Sequence, residues 1–221
     1  MTFSAQWDAA YEKGGQMSIW PWSDLVSMVM RYARPAGPTY RILELGCGAG
    51  ANVPFFLSQQ ADYYAIEGSA YMVARLKERY PQVAERFVAG DFTADLPFPG
   101  SFDLIVDRSS LTHNCTKSIQ HCLKLARDKL KPGGAFVGID WFSSKNSEMR
   151  YGEIADDEHT RSNFQQGQFA HVGKVHFSDE SHLRFLLSDF NLEVLEHKTV
   201  ERLEPADNSR FATWNFVARK S

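Results

Sequence analysis

The chain has 221 residues and a formal charge of −3, and 43% of its residues are hydrophobic and 23% charged. This length and composition predict one soluble globular domain over residues 1–221, and the slight negative charge argues against a nucleic-acid ligand held by a positive field. The 3 cysteines show no metal-ligand spacing, and the chain has neither a membrane-length apolar run nor a signal peptide. We therefore expect a cytoplasmic protein without a metal site.

The N-terminal residues 1–36 precede the first predicted strand and are rich in aromatic side chains. Apolar residues at helical spacing predict a helix in this region: Leu25, Val26, Val29 and Ala33. Four aromatic residues crowd ahead of that helix: Trp7, Tyr11, Trp20 and Trp22. We expect this N-terminal aromatic arm either to pack on the core or to cap a pocket.

From Tyr40 onward, short apolar runs alternate with helical patterns, which is typical of a parallel sheet with crossover helices. The predicted strands are residues 41–45, 63–66, 86–89, 102–106, 135–139, 192–198 and 210–218. Asn52, Ser69 and Ser178 stand where helix N-caps are expected. The sequence therefore predicts an α/β fold with about seven strands.

Periodicity disappears between residues 141 and 177, the lid segment. A connection of this length inside a compact domain is usually functional or mobile. It contains three histidines, His159, His171 and His176, which we expect to be solvent-exposed rather than metal ligands.

The strongest local signal is the glycine loop, in which a buried strand runs directly into Gly46, Gly48 and Gly50 and then into a helix. Glycines permit positive φ and remove the side chains that would hold a ligand away from the backbone. A tight turn without a ligand is the alternative. Gly46, Gly48 and Ala51 also fit the dinucleotide fingerprint, so the loop alone does not separate a nicotinamide cofactor from another adenosine compound.

Five short motifs follow one another at set intervals along the chain. They are residues 44–50 (ELGCGAG), Glu67 after the second strand, residues 90–92 (GDF), residues 102–107 (FDLIVD) and residues 130–134 (LKPGG). In this order they resemble the class I S-adenosylmethionine-dependent methyltransferases, over most of the chain from about Tyr40. The resemblance implies a Rossmann-like fold with a seven-stranded, mostly parallel sheet and helices on both faces, and S-adenosyl-L-methionine as the cofactor.

The resemblance also implies roles for individual residues. Glu67 stands where the family places the acid that bonds the ribose hydroxyls, Asp91 where an acid meets the adenine amino group, and Phe92 near the adenine ring. Glu44 offers a negative charge toward the sulfonium. The complete set of predicted cofactor residues is Tyr11, Trp20, Glu44, Gly46, Gly48, Gly50, Glu67, Gly68, Asp91, Phe92 and Asp107.

The acceptor is expected at the carboxyl ends of the fourth and fifth strands. His113 is the candidate general base there, with a pocket-wall histidine as the alternative. Arg108 is a candidate anchor for an acidic substrate, or else a surface partner of Asp103 or Asp107. The chain lacks a [DN]-P-P-[YF] motif, which further disfavours methylation of nucleic-acid bases.

The function predicted from these residues is in-line transfer of a methyl group from S-adenosylmethionine to a small molecule. Two alternatives use the same loop: a non-catalytic protein that binds S-adenosylmethionine, and a nicotinamide-dependent oxidoreductase.

Overall fold

The computed structural model describes residues 8, 11–12, 14–15, 17–206 and 209–221. Trp7 of the predicted aromatic arm lies outside the described residues. The helices are α1 (Ser23–Tyr32), α2 (Val53–Ser58), α3 (Ala70–Arg79), α4 (Thr116–Lys129) and α5 (Glu180–Leu186). The strands are β1 (Arg41–Leu45), β2 (Asp62–Glu67), β3 (Phe87–Ala89), β4 (Phe102–Arg108), β5 (Leu130–Phe142), β6 (Glu153–Ile154), β7 (Thr160–Ser162), β8 (Val175–His176), β9 (Asn191–Glu201) and β10 (Arg210–Arg219).

The main sheet has seven strands in the order β3-β2-β1-β4-β5-β10-β9. The pairs from β3 to β5 are parallel, whereas β10 runs antiparallel to both of its neighbours. Two antiparallel steps restore the original direction, so β9 runs the same way as β1 to β5. The predicted seven-stranded, mostly parallel sheet is confirmed.

Both faces of this sheet are covered by helices. Alternate residues along β4 point to opposite faces, so Val106 joins one apolar cluster and Ile105 joins the other. The first cluster includes residues of α1, α2 and α3, and the second includes residues of α4 and α5. Burial on both faces explains why the strands are near-continuous apolar runs.

Two of the three predicted helix caps are at the predicted positions, and one is wrong. Ser69 caps α3, because its hydroxyl accepts a hydrogen bond from the Met72 amide. Asn52 is the N-cap residue of α2, but its side chain makes no cap bond because it is engaged elsewhere. The helix after β8 is capped by Asp179 instead of Ser178, which is buried and donates its backbone N–H to Phe142.

The lid segment is more regular than its sequence indicates. It contains the second sheet, β6-β7-β8, and an aromatic cluster of its own that includes Phe164, Phe169 and Phe177. The expectation that His176 is solvent-exposed is wrong: it is buried, and its Nε2 lies 3.1 Å from Nε2 of His182. No helix among the described residues is long and apolar enough to cross a membrane.

Candidate functional site

A cavity of about 430 Å³ opens at the carboxyl ends of the parallel strands. Residues that end or directly follow β1 to β5 line it, one example from each strand being Gly46, Gly68, Gly90, Ser109 and Phe142. The carboxyl edge of a parallel sheet is where such folds bind ligands. The predicted position of the site is therefore the position of a cavity of suitable size.

The glycine loop forms one wall of the cavity. Gly46 and Gly48 both line it and both have positive φ, +64° and +51°. A Cβ at Gly48 would lie 3.2 Å from the Tyr11 hydroxyl, whereas one at Gly46 would overlap the Ser110 side chain. Gly50 does not line the cavity, and a Cβ there would press on Leu76. Gly50 thus serves the packing of the loop against α3.

Glu67 connects the glycine loop to the start of α3. Its carboxylate accepts hydrogen bonds from the Gly48 amide at 2.8 Å and the Ser69 amide at 3.0 Å. The side chain is buried at the cavity wall, and burial raises its pKa. These two bonds fix the carboxylate and the Gly48 backbone relative to each other, so this part of the cavity wall is already ordered before a ligand binds.

Glu44 is held by neighbouring side chains of the protein. It accepts a hydrogen bond from Tyr63 Oη at 2.6 Å and another from Asn52 Nδ2 at 2.8 Å. Burial raises its pKa to about 7. Asn52 in turn accepts the backbone N–H of Trp22 at 3.2 Å. Glu44 therefore orients Asn52, which lines the cavity beside it.

Asp91 and Phe92 line the part of the cavity that follows β3, next to Gly68. The Asp91 carboxylate accepts the Thr93 amide at 2.9 Å and the Thr93 hydroxyl at 2.6 Å. A carboxylate fixed in this way beside an aromatic ring is suited to a flat, nitrogen-rich ligand group that can donate a hydrogen bond.

Asp107, a predicted cofactor residue, does not line the cavity. It is fully buried and accepts hydrogen bonds from the Ser110 hydroxyl, the Leu111 amide at 3.0 Å and Trp141 Nε1 at 2.7 Å. The structure places it beneath the site, where it positions Ser110 and the turn after β4. Burial raises its pKa to about 6.

Asp107→Asn is expected to lower the free energy of unfolding by about 1–3 kcal/mol. The NH₂ group of the new side chain would face one of the three groups that donate hydrogen bonds to the carboxylate, and that bond would be lost. As the pH rises from about 4 to about 6, the unfolded state loses its proton before folded Asp107 does, so this residue's contribution to stability falls. The difference between native protein and variant in denaturant titrations should shrink over that range. A constant difference would contradict the buried carboxylate.

The N-terminal arm contributes one of its two predicted residues. Tyr11 is buried and lines the cavity, where burial raises its pKa. Trp20 does not line the cavity and is 77% exposed. Trp22, two residues later, lines the cavity in its place. The sequence does not show which of these two tryptophans faces the cavity, because nothing in it fixes the path of the chain before α1.

His113 lies in the turn after β4 and lines the cavity. Its Nδ1 lies 3.0 Å from the Lys174 carbonyl oxygen, so in the neutral ring Nδ1–H donates and the lone pair is on Nε2. Burial lowers its pKa to about 4. The ring is therefore neutral at physiological pH.

Arg108 also lines the cavity, and neither predicted surface partner is correct. Its Nη2 lies 3.1 Å from Asp140 Oδ2, and its guanidinium carbon lies 3.6 Å from the centre of the Trp22 ring. Asp103 pairs instead with Lys131 at 2.7 Å. The lid segment and β10 add walls that sequence reasoning missed: Gln168, Phe169, Val172 and Phe211. No local sequence signal marks these residues.

A family model described as "Methyltransferase domain" matches residues 42–134. Two curated relatives are named malonyl-[acyl-carrier protein] O-methyltransferase. One, from Chlorobium luteolum, is 30% identical over 57% of this chain and 49% of its own length. The other, from Enterobacter lignolyticus, is 27% identical over 58% of this chain and 50% of its own. The chain spans about half the length of the curated relatives it matches.

Solved structures show the same fold. A protein from Methanosarcina mazei described as a SAM-dependent methyltransferase superposes with a TM-score of 0.68 at 19% identity, over 87% of this chain and 96% of the other. An amino pentose methyltransferase from Micromonospora echinaspora, solved with SAM bound, gives a TM-score of 0.60 at 21% identity, over 99% and 98%. At these identities the similarity supports the fold.

Proposed function

We propose, from the premise that this chain belongs to the class I S-adenosylmethionine-dependent methyltransferases, that it transfers a methyl group from S-adenosylmethionine to a small-molecule acceptor. The family match over residues 42–134 and the sheet order support the predicted family, enzyme class and cofactor class. One observation carries the proposal for the acceptor. A single cavity joins the glycine loop to the residues that follow β4 and β5, so cofactor and acceptor share one space.

The residues present fit the cofactor. Gly46 and Gly48 line the cavity without a Cβ, Glu67 offers a fixed carboxylate for hydroxyl groups, and Asp91 with Phe92 offers an acceptor beside a ring. We propose that the glycine loop contacts the cofactor through its backbone, that Glu67 binds the ribose, and that Asp91 and Phe92 bind the adenine. When bound, S-adenosylmethionine supplies a methyl group made electrophilic by its sulfonium.

The chain's own part in the reaction is to orient the acceptor, exclude water and take up a proton where the acceptor carries one. Bound S-adenosylmethionine would supply the methyl group, and the residues after β4 and β5 would hold the acceptor atom toward it. For a hydroxyl or ammonium acceptor, we assign the proton to Nε2 of His113. The Nδ1 bond to the Lys174 carbonyl supports this assignment, because it leaves Nε2 as the nitrogen that can accept a proton.

Glu67→Gln is expected to weaken binding of S-adenosylhomocysteine by about 10-fold or more, because an amide cannot accept from both Gly48 and Ser69 and offers a weaker acceptor to the ribose. Isothermal titration calorimetry measures the change. Glu180→Gln, on the exposed surface of α5, is the matched control and should bind like the native protein. Equal affinities in all three proteins would remove Glu67 from the cofactor site.

The activity itself is tested with methyl-labelled S-adenosylmethionine and a panel of small acceptors with hydroxyl, amine, thiol and carboxylate groups. Because the two curated relatives are named for malonyl-[acyl-carrier protein], a malonyl thioester belongs in the panel. Label transferred to a small molecule supports the proposal. Cofactor binding without transfer to any panel member or to a metabolite extract would favour a non-catalytic binding protein.

A further inference from the structure

The acceptor end of the cavity contains one permanent cation. Among the described residues that line the cavity, Arg108 alone is a lysine or an arginine. Besides Phe92, three phenylalanines line the same cavity: Phe142, Phe169 and Phe211. The Arg108 guanidinium lies against the Trp22 ring and is largely withdrawn from water, so it gains more from an anionic partner than it would on the open surface.

The hydrogen-bonding capacity of Arg108 is mostly unused. Within the described part of the chain its guanidinium makes one hydrogen bond, from Nη2 to Asp140, although it has five N–H donors. Its Nε is buried and has no hydrogen-bond partner among those same residues. A buried donor without a partner is unfavourable, and proteins usually pair such groups. The Trp22 ring covers one face of the guanidinium, and the remaining N–H groups point outward in its plane, so further hydrogen-bond partners must approach along its edge.

The backbone beneath Arg108 is held in an unusual conformation. Ser109, directly after β4, has φ +58°, and Asp140, in β5, has φ +55°. The Ser109 hydroxyl donates to the Asp140 carbonyl at 2.8 Å, and the Asp140 amide donates to the Asn215 side chain at 2.9 Å. Non-glycine residues at positive φ are unfavourable and concentrate at functional sites. This arrangement fixes Asp140, and through it the edge of Arg108.

The charge around Arg108 favours a monoanion. Asp140 neutralises part of the guanidinium charge through its single bond, whereas nearby Asp24 pairs with Lys198 and bonds Asn215. A dianionic phosphate would be repelled by Asp140 more strongly than a carboxylate would. A planar carboxylate also matches the fork of an arginine.

We propose that Arg108 is the specificity-determining residue for the acceptor and binds a carboxylate group on it, with Asp140 and Trp22 as the residues that position the guanidinium. This inference rests on the proposed function, because it assigns the acceptor to the same cavity. It narrows the acceptor class to small carboxylic acids with an apolar or aromatic body.

Benzoate and benzamide are the probes, since they share a shape and differ in charge. Each is titrated in the presence of saturating S-adenosylhomocysteine, with ligand-observed NMR as the readout. We expect the native protein to bind benzoate about 10-fold more tightly than benzamide, and Arg108→Gln to lose that preference. Arg184→Gln removes a guanidinium from the exposed face of α5 and should keep the native preference.

Equal binding of benzoate and benzamide by the native protein would overturn the proposal, and this comparison holds even if Arg108→Gln fails to fold. An undiminished preference for benzoate in a folded Arg108→Gln protein would also overturn it. Binding of S-adenosylhomocysteine to the native protein is measured in the same samples. Its absence would overturn the proposed function, whereas its presence without a carboxylate preference would overturn only the role of Arg108.

Discussion

Gly48→Val is expected to lower the affinity for S-adenosylhomocysteine by about 10–100-fold, measured by calorimetry. Gly48 has φ +51°, a conformation that a β-branched residue resists, and its α-carbon faces the cavity. The added side chain would lie near the Tyr11 hydroxyl, in space that the ligand needs. Overpacking of this kind costs about 1–3 kcal/mol, which corresponds to the expected loss.

Gly133→Val is the matched control for this experiment. Gly133 also has positive φ, +74°, but a Cβ there would meet no atom within 4 Å, and the residue does not line the cavity. Its substitution should lower stability through backbone strain by about 1–2 kcal/mol and leave affinity unchanged. A folded Gly48→Val protein with native affinity would show that the glycine loop does not hold the cofactor.

His113→Asn is expected to lower turnover by about 10²–10⁴-fold with a hydroxyl or ammonium acceptor, while the affinity for S-adenosylhomocysteine stays the same. Asparagine is close to histidine in size and can still donate toward the Lys174 carbonyl, so the cavity wall is retained. The group that takes up the acceptor's proton is lost. Single-turnover rates with one identified acceptor measure the effect.

The pH dependence gives the His113 experiment a second readout. Because burial lowers the pKa of His113 to about 4, the imidazole is neutral above about pH 5. The rate should therefore fall as the pH drops through about 4, where the ring gains a proton, and His113→Asn should lack that step. His171→Asn, on the exposed surface of the lid segment, is the control and should keep both rate and step. A His113→Asn protein that retains the native rate and step would remove His113 from the mechanism.

The fold was predictable because its signals are local and repeated. Apolar runs buried on both faces identify parallel strands, and the set spacing of glycines, acids and strand ends gives their order. Helix caps were less predictable. Asn52 and Ser178 have side chains typical of caps, but Asn52 is held by Glu44 and Ser178 is buried against Phe142. Tertiary contacts decided both cases.

The two halves of the cavity also differed in how well they could be predicted from local sequence signals. The proposed cofactor half of the cavity is lined by residues next to strand ends, so the positions of Gly48, Glu67 and Asp91 in the cavity wall could be predicted from the sequence. Asp107 was misplaced because its position at a strand end does not reveal that Trp141 and Leu111 surround it. The acceptor half draws Phe169 from the lid segment and Phe211 from β10, distant in sequence, and no spacing rule relates them.

The most direct measurement is calorimetric titration of the native protein with S-adenosylhomocysteine, with NAD⁺ and NADP⁺ as parallel ligands. We expect S-adenosylhomocysteine to bind at one site per chain and neither dinucleotide to compete with it. Tight binding of a nicotinamide dinucleotide, with no heat from S-adenosylhomocysteine or S-adenosylmethionine, would contradict the assignment of the glycine loop and the methyl transfer that depends on it.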